Sequence, residues 1–186
     1  MGACRACEQE RRIPSHLIVA RHVESAEWAQ AIEGWRVLVV QKDRDLPNEG
    51  REASSFFWAF HHLYERLSPD DRVACVQGDP FAHDNSFPAS LEIDCQGFEP
   101  LGHWHVECDL SGAPHHPGLP IADSAWRWFG LELPDRIHFT AGAQFMVPGR
   151  LILKHPRAFH MEMVGRMSEP LAPWVMERLW ELWLGS

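Results

Sequence analysis

Short apolar runs alternate with longer stretches of helical spacing in the first part of the chain. Residues 16–21, 36–41 and 72–77 are apolar runs rich in β-branched side chains, so they predict three buried strands. The apolar side chains of residues 49–67 recur at i, i+3, i+4 and i+7, which predicts a helix with one buried face. A shorter helix is predicted at residues 25–32. This order is typical of an α/β fold with a mainly parallel central sheet, helices on both faces and a Rossmann-like N-terminal half.

The second part of the chain has a less regular pattern. Residues 81–120 are rich in Pro, Gly and His and show no periodicity, which predicts a long irregular loop, packed through its aromatic residues. We expect a single domain over residues 16–186, preceded by a flexible arm at residues 1–15. The last helix carries a stripe of Trp and Leu that predicts a core or interface face. The elements predicted after the loop are a helix at 121–129, strands at 137–140 and 142–147, and helices at 148–154, 156–167 and 170–184.

The composition narrows the classes of partner and compartment. The formal net charge of -9 argues against a nucleic-acid partner, because binding to a phosphate backbone needs clustered Lys and Arg. No apolar run approaches the roughly 20 residues that a membrane-spanning helix needs, and the N-terminus has no apolar signal region. We therefore expect a cytoplasmic protein without a membrane span.

The cysteines predict reduced thiols. The chain has 5 cysteines, an odd number, and no predicted export signal. Cys4 and Cys7 form a CxxC motif, which needs two further ligands to close a zinc site. The segment HWHVEC at residues 103–108 could supply them, but a terminal segment without metal is the simpler interpretation.

Polar residues follow the predicted strands. Because ligands bind outside the carboxyl ends of parallel strands, Arg21 and the turn Gln77-Gly78-Asp79-Pro80 are expected to share one crevice. Asp79 is well placed there to face a ligand or a divalent ion, and His83 is near enough in sequence to join it. An equally simple interpretation is that Asp79 only stabilises a Gly/Pro turn.

The start of the long helix is a second candidate for this crevice. A helix N-terminus presents free N–H groups to an anion, Gly50 allows close approach of the backbone, and Arg51 can bind phosphate or carboxylate. Asn48 is expected to cap this helix. An ordinary capped helix without a ligand explains the same residues, and that interpretation stays open. Lys42 and Asp43, at the end of the second strand, are expected to be solvated residues of the same rim.

The motifs of well-known nucleophiles and phosphate loops are absent from the chain. GxSxG, Walker A, GxGxxG and HExxH do not occur. The imidazoles of His103 and His105 would face the same side of an extended segment, an arrangement that could bind a metal. Surface or packed histidines are the simpler interpretation, here and at His115 and His116.

Several separated motifs follow one another from residue 17 to residue 184, and so cover nearly the whole chain apart from the arm. They are LIVARHVESAEW, DLPNEGREASSFFWAFHHL, VACVQGDPFAH, HHPGLPI, WRWFG, FTAGAQFMVPGRLILKHPRAFH and MERLW. In this order they resemble the motifs of the family called domain of unknown function 3431. The layout of this family is similar to a glycosyltransferase A-type fold, which the resemblance therefore implies here.

The resemblance also implies roles for individual residues. Arg21 and Glu24 would lie beside a nucleotide, and Asp79 would be the counterpart of an acid that binds a metal–diphosphate. The strand that contains Gln144 would line the acceptor side, and Glu177 would be a candidate catalytic base. The predicted ligand-binding residues are then Arg21, Glu24, Asn48, Gly50, Arg51, Gln77, Gly78 and Gln144.

The chain departs from this layout at the metal position. The usual Asp-x-Asp is replaced by Gly78-Asp79-Pro80, so His83 or Asp84 would have to complete a site for Mn²⁺ or Mg²⁺, unless the domain works without metal. The leading hypothesis is a nucleotide-sugar-dependent glycosyltransferase-like enzyme with a metal–diphosphate site at the strand ends. One alternative is a non-catalytic ligand-binding or scaffold domain on the same fold. The other is a metal-dependent hydrolase that uses Asp79, His83 and the HWH segment.

Overall fold

A five-stranded sheet lies at the centre of the protein in the computed structural model, which describes residues 14–185. The predicted arm, apart from Pro14 and Ser15, and the Cys4–Cys7 motif lie outside the described residues. In spatial order the strands are β2 (Arg36–Gln41), β1 (Ser15–Arg21), β3 (Arg72–Gln77), β7 (Phe145–Pro148) and β4 (Glu99–Pro100).

The sheet is mixed and mostly parallel. Strand β1 pairs in parallel with β2 and with β3, which confirms the predicted parallel arrangement of the first three strands. Strand β7 runs antiparallel to both β3 and β4, so the sheet is not purely parallel. A second, two-stranded antiparallel sheet consists of β5 (His105–Asp109) and β6 (Arg136–Thr140). A short turn joins β6 to β7, which then runs beside β3 in the opposite direction.

The helices follow the predicted order, with shifted ends. The predicted helix at 25–32 is a short 3-10 helix, Glu27–Ala31, and two further 3-10 helices lie at Tyr64–Arg66 and Ala89–Glu92. The long helix begins at Arg51 rather than at residue 49, because Gly50 has a left-handed backbone with a φ of 71°. The α-helices are α1 (Arg51–Leu63), α2 (Ile121–Phe129), α3 (Gly149–Leu153), α4 (Arg157–Arg166) and α5 (Ala172–Leu184).

The segment 81–120, predicted to be an irregular loop, contains regular structure. It includes the 3-10 helix Ala89–Glu92 and the strands β4 and β5. Strand β5 has only five residues, and its partner β6 lies more than twenty residues further along the chain. A strand this short gives little periodicity, so its pairing with a distant partner could not be read from the local pattern.

The two faces of the central sheet are covered differently. Helices α1 and α5 bury one face in the larger core, in which Phe56, Phe57, Phe145 and Trp180 are at most 1% exposed. The other face packs against the 3-10 segments and irregular chain, through residues such as Leu91. The prediction of helices on both faces is therefore correct for one face, whereas short 3-10 helices and loops cover the other.

Aromatic rings tie the last helix to the sheet. Trp180 lies 4.9 Å from Phe145 and 5.0 Å from Phe57, measured between ring centroids. Trp180 and Trp183 are 1% and 3% exposed, so the predicted apolar stripe of α5 is a core face. Truncating one such ring to Ala typically destabilises a protein by about 3–5 kcal/mol.

The described cysteines are free thiols. Cys75, Cys95 and Cys108 are buried and form no disulfide. Burial raises the pKa of the Cys95 thiol to about 12.

Within residues 14–185 no helix has the length and apolar character needed to cross a membrane.

A buried histidine makes the core sensitive to acid. His160 on α4 is 0% exposed and packs against the rings of Phe60, Tyr64 and Phe159 at 5.7–5.9 Å. Burial lowers the pKa of His160 to about 4, so the folded state disfavours the proton that the unfolded chain binds near pH 6.5. Stability that is present above pH 6.5 is therefore lost as the pH falls toward 4.

We predict that His160→Leu flattens this pH dependence. Between pH 7 and pH 5 the wild-type protein should lose about 2 kcal/mol more unfolding free energy than the variant, because only the wild type has this buried imidazole. Urea unfolding at both pH values measures the difference. His138→Gln is the matched control, since the His138 side chain is 78% exposed. Parallel pH profiles for wild type and His160→Leu would contradict the prediction.

Candidate functional site

A cleft of about 260 Å³ lies at the carboxyl ends of β1, β2 and β3, and we call it the strand-end cleft. The parallel register places Arg21 beside Gln41, and Ala20 beside Gln77, so the residues after each strand meet at one edge. The structure thus brings six of the eight predicted ligand-binding residues around one cleft. The lining residues are Ala20, Arg21, His22, Glu24, Lys42, Asn48, Arg51, Glu52, Gln77 and Gly78.

The loop after β1 is held by its own hydrogen bonds. The carboxylate of Glu24 accepts the N–H of His22 at 2.8 Å, and Arg21 Nε donates to the carbonyl oxygen of Glu24 at 2.5 Å. Burial acts to raise the pKa of Glu24, but hydrogen bonds from backbone N–H groups of residues 22–24 outweigh it and lower the pKa. A Cβ on Gly78 would lie 3.0 Å from Glu24 Oε2, so the close contact between this loop and the β3 turn favours glycine.

Lys42 is buried at the end of β2, where a solvated side chain was predicted. It is 4% exposed, and its ammonium donates to the carbonyl oxygen of Glu49 at 2.7 Å and to Ser54 Oγ. Burial lowers the pKa of Lys42 to about 8, although the carboxylates of Glu52, Asp43 and Glu49 act to raise it. Part of the Lys42 population is therefore neutral near pH 7–8, so the charge of the cleft depends on pH.

The start of α1 has two consecutive residues with a left-handed backbone. The φ of Gly50 is 71° and that of Arg51 is 47°, a conformation that is uncommon for a residue with a side chain. A Cβ on Gly50 would lie 2.7 Å from Cβ of Met167, so Gly50 serves the packing of α1 rather than the approach of a ligand. The predicted cap is wrong, because Gly50 is the N-cap and Asn48 instead lies 3.1 Å from the ring of His22.

Arg51 lies at the junction of the strand-end cleft with neighbouring cavities. Its guanidinium lies over the ring of Trp174 at 5.4 Å, and its Nε is 3.5 Å from Glu52 Oε2. Its side chain is 53% exposed and so remains available to a ligand. Burial raises the pKa of Glu52, partly opposed by the charge of Arg51.

A second cavity of about 280 Å³ adjoins the cleft and shares Arg51 and Gln77 with it. We call it the aromatic cavity, because Trp104 and Phe139 form part of its wall. Its remaining lining residues are His83, Val106, His115, His116, Ala141, Gly142, Glu177 and Arg178.

Glu177 is held at both carboxylate oxygens. Oε1 accepts the N–H of Gly142 at 2.9 Å, and Oε2 accepts from Nη1 of Arg178 at 2.7 Å. Arg178 is 1% exposed, lies 4.6 Å from the ring of Phe139, and donates through Nη2 to His116 Nδ1 at 2.8 Å. Sequence reasoning missed Arg178, although a charge inside the Trp and Leu stripe of a buried helix face was a signal for it.

Three predicted site residues line neither cavity, namely Gly50, Gln144 and Asp79. Gln144 is 1% exposed and joins β3 to the following turn, because Oε1 accepts the N–H of Gln77 at 3.2 Å and Nε2 donates to the Pro80 carbonyl at 3.3 Å. Gln144 therefore stabilises the turn after β3 rather than lining either of the two cavities. Asp79 is exposed on that turn.

The donor set for a divalent ion is small. Within residues 14–185 no group of three or more His, Cys, Asp and Glu side chains could hold a metal ion. Asp84 is 5% exposed, and its two oxygens accept hydrogen bonds from Ser86 and Ser90, so it is committed to its own turn.

His83 lies between the turn and the aromatic cavity. Its ring meets that of Trp104 edge-on at 5.2 Å, and its Nδ1 is buried without a hydrogen-bond partner among the described residues. Burial lowers the pKa of His83, partly opposed by the charges of Glu177 and Asp79. Asp79 and His83 therefore remain the predicted contacts for a metal beside the strand-end cleft.

Comparison of the chain with protein-family models, with curated proteins and with solved structures found no match. The geometry and charge of the two cavities are therefore the grounds for inferring a function.

We predict that Lys42→Met removes a specific pH dependence of stability. Unfolded chains keep the lysine proton up to a pKa of about 10.5, whereas the folded protein releases it near pH 8. Wild-type stability should thus rise by about 2 kcal/mol relative to the variant between pH 7 and pH 10. Urea unfolding at the two pH values measures this difference. Lys154→Met is the control. The prediction is refuted if the unfolding free energy of Lys42→Met changes between pH 7 and pH 10 by as much as that of the wild type.

Proposed function

We propose that the protein is a nucleotide-sugar-dependent, glycosyltransferase-like enzyme of the cytoplasm. The observation that carries the proposal is that two cavities of similar size meet at Arg51 and Gln77. Transfer of a group between two substrates requires two adjacent sites that open onto one reaction centre. The mixed five-stranded sheet, with parallel β2, β1 and β3 and an antiparallel β7 between β3 and β4, is compatible with the glycosyltransferase A-like layout that the resemblance implies.

The strand-end cleft suits the nucleotide diphosphate. Arg21, Lys42 and Arg51 bring cationic groups to it, and the first turn of α1 adds the positive end of a helix dipole. Glu24 can accept hydrogen bonds from ribose hydroxyls, since its carboxylate stays ionised at neutral pH. The cleft therefore offers donors for phosphate and an acceptor for a sugar, as a nucleotide requires.

The aromatic cavity suits the acceptor. In the proposed reaction an acceptor hydroxyl attacks the anomeric carbon of the donor sugar, and the bond from that carbon to the diphosphate breaks. The bonding pair leaves with the diphosphate oxygen, whose charge Arg51 and Lys42 stabilise. The hydroxyl proton passes to Glu177, whose oxygens are oriented by Gly142 and Arg178.

A divalent ion would depend on the nucleotide for most of its ligands. Mg²⁺ commonly binds through one or two carboxylates together with substrate phosphates, and Asp79 could supply one carboxylate, with His83 as a second contact. When bound, Mn²⁺ or Mg²⁺ would neutralise charge on the leaving diphosphate.

A non-catalytic ligand-binding or scaffold domain is the second candidate. It is favoured by the small donor set, since Asp84 is committed to its own turn and Asp79 stands alone as the carboxylate at the metal position. The metal-dependent hydrolase has no such observation in its favour, because the residues from 14 to 185 offer no group of three metal ligands.

We predict that a nucleoside diphosphate or nucleotide sugar stabilises the protein and that Arg51→Gln abolishes the effect. At a ligand concentration of 100 Kd, binding should add roughly 2.7 kcal/mol to the unfolding free energy. A thermal-shift panel of nucleotides and nucleotide sugars measures it. Arg127→Gln is the control, because Arg127 is similarly exposed on α2 and lies outside both cavities.

The panel distinguishes the candidates. A shift with one nucleotide that Arg51→Gln removes, accompanied by release of nucleoside diphosphate from the matching nucleotide sugar, supports the transferase. A shift without turnover supports the binding domain. No shift with any member, from a protein that unfolds cooperatively, would refute the nucleotide site.

We predict that Asp79→Asn removes only the metal-dependent part of that shift. The amide keeps the shape of the turn but is a weaker ligand for Mn²⁺ than a carboxylate. The shift with nucleotide alone should be unchanged, whereas the additional shift produced by Mn²⁺ should disappear. A variant that keeps the full Mn²⁺ effect would exclude Asp79 as the metal contact.

A further inference from the structure

The aromatic cavity has a flat apolar side formed by an exposed indole. Trp104 is 50% exposed, which is high for the largest apolar side chain, and it lies at the cavity wall. The rings of His83 and His103 meet it edge-on at 5.2 and 5.4 Å and so restrict its orientation. Phe139 and Val106 extend the apolar wall. A ligand with a flat apolar face can therefore stack here without displacing the protein's own core.

The other side of the cavity combines donors and acceptors. The Glu177 carboxylate has spare lone pairs beyond its bonds to Gly142 and Arg178. The guanidinium of Arg178 is 1% exposed, donates through Nη1 and Nη2 to Glu177 and His116, and also interacts with the buried thiol of Cys108. The cavity therefore places a carboxylate acceptor beside a guanidinium donor, with Arg51 on the same wall.

We propose that the aromatic cavity binds a neutral saccharide, with the C–H face of its ring on Trp104 and neighbouring hydroxyls directed to Glu177 and Arg178. A hydroxyl both donates and accepts, which matches an acceptor and a donor that lie side by side. The C–H face of a pyranose is apolar and slightly positive, and it complements the negative face of an indole. An aromatic carboxylic acid would also stack on Trp104, and Arg51 offers its carboxylate a cation, so benzoate is the competing ligand in the test.

The statement that a saccharide is the acceptor rests on the proposed transferase function. The statement that a saccharide binds in the aromatic cavity rests on the geometry of that cavity alone, and it can be tested without turnover or nucleotide. The proposed function would then be extended in one respect: the group transferred from the nucleotide sugar would be received by a hydroxyl of a saccharide.

The test is ligand-observed NMR titration with methyl glycosides of glucose, galactose, mannose and N-acetylglucosamine, with and without uridine diphosphate. Benzoate serves as the aromatic acid for comparison. The variant is Trp104→Ala, which removes the stacking surface at an exposed position. Trp126→Ala is the matched control, because Trp126 is 63% exposed on α2 and lines neither cavity.

We expect at least one glycoside to bind, Trp104→Ala to weaken it by about tenfold or more, and Trp126→Ala to leave it unchanged. Binding of benzoate in place of every glycoside, glycoside binding that survives Trp104→Ala, or no binding in either nucleotide condition would overturn the inference. Glycoside binding by a protein that binds no nucleotide would leave this inference standing while the transferase fails. Nucleotide-sugar turnover without glycoside binding would support the transferase and overturn this inference.

Discussion

The parallel pairing of β1 with both of its neighbours determines where the polar groups of the site lie. Because β1 lies between β2 and β3 and runs in the same direction, the residues that follow all three strands emerge at one edge. Arg21, Lys42 and Gln77 are far apart in the chain but meet around one cleft for this reason. The antiparallel β7 then brings the turn that contains Gly142 to the same edge from the opposite direction, and with it the second cavity.

The site contains groups that the fold disfavours. Lys42 is buried and has a lowered pKa, Glu52 has a raised pKa, and Arg51 has a positive φ. Each of these features lowers the stability of the folded state, and a residue in strained backbone persists only when its surroundings hold it there. Three such features in one cleft, beside a core of tightly packed aromatic rings, support the proposal that the cleft binds a ligand.

The parts of the molecule that follow from short-range pattern were predictable from the sequence. The strands at 36–41 and 72–77 have the predicted bounds, and the convergence of Arg21 with the turn after β3 follows from parallel pairing. The burial of Lys42 and the bonds of Arg178 were not predictable, because they depend on contacts between elements distant in the chain. The hydrogen bonds of Gln144 to the turn after β3 were not predictable either, because its position in a strand motif does not indicate them.

A continuous chain of hydrogen bonds joins the two cavities. Gln77 Nε2 donates to the carbonyl oxygen of Gly142 at 2.6 Å, and the N–H of the same glycine donates to Glu177, which in turn is held by Arg178. The φ of Gly142 is 99°, and a Cβ there would lie 2.7 Å from His83 Nδ1, so only glycine can connect these groups. Because Gln77 at the end of β3 and Glu177 in the middle of α5 both bond to the backbone of Gly142, these hydrogen bonds connect the wall of the cleft to the wall of the aromatic cavity. The proposed group transfer requires such a connection between its two sites, since the reacting atoms must be held in contact before the reaction begins.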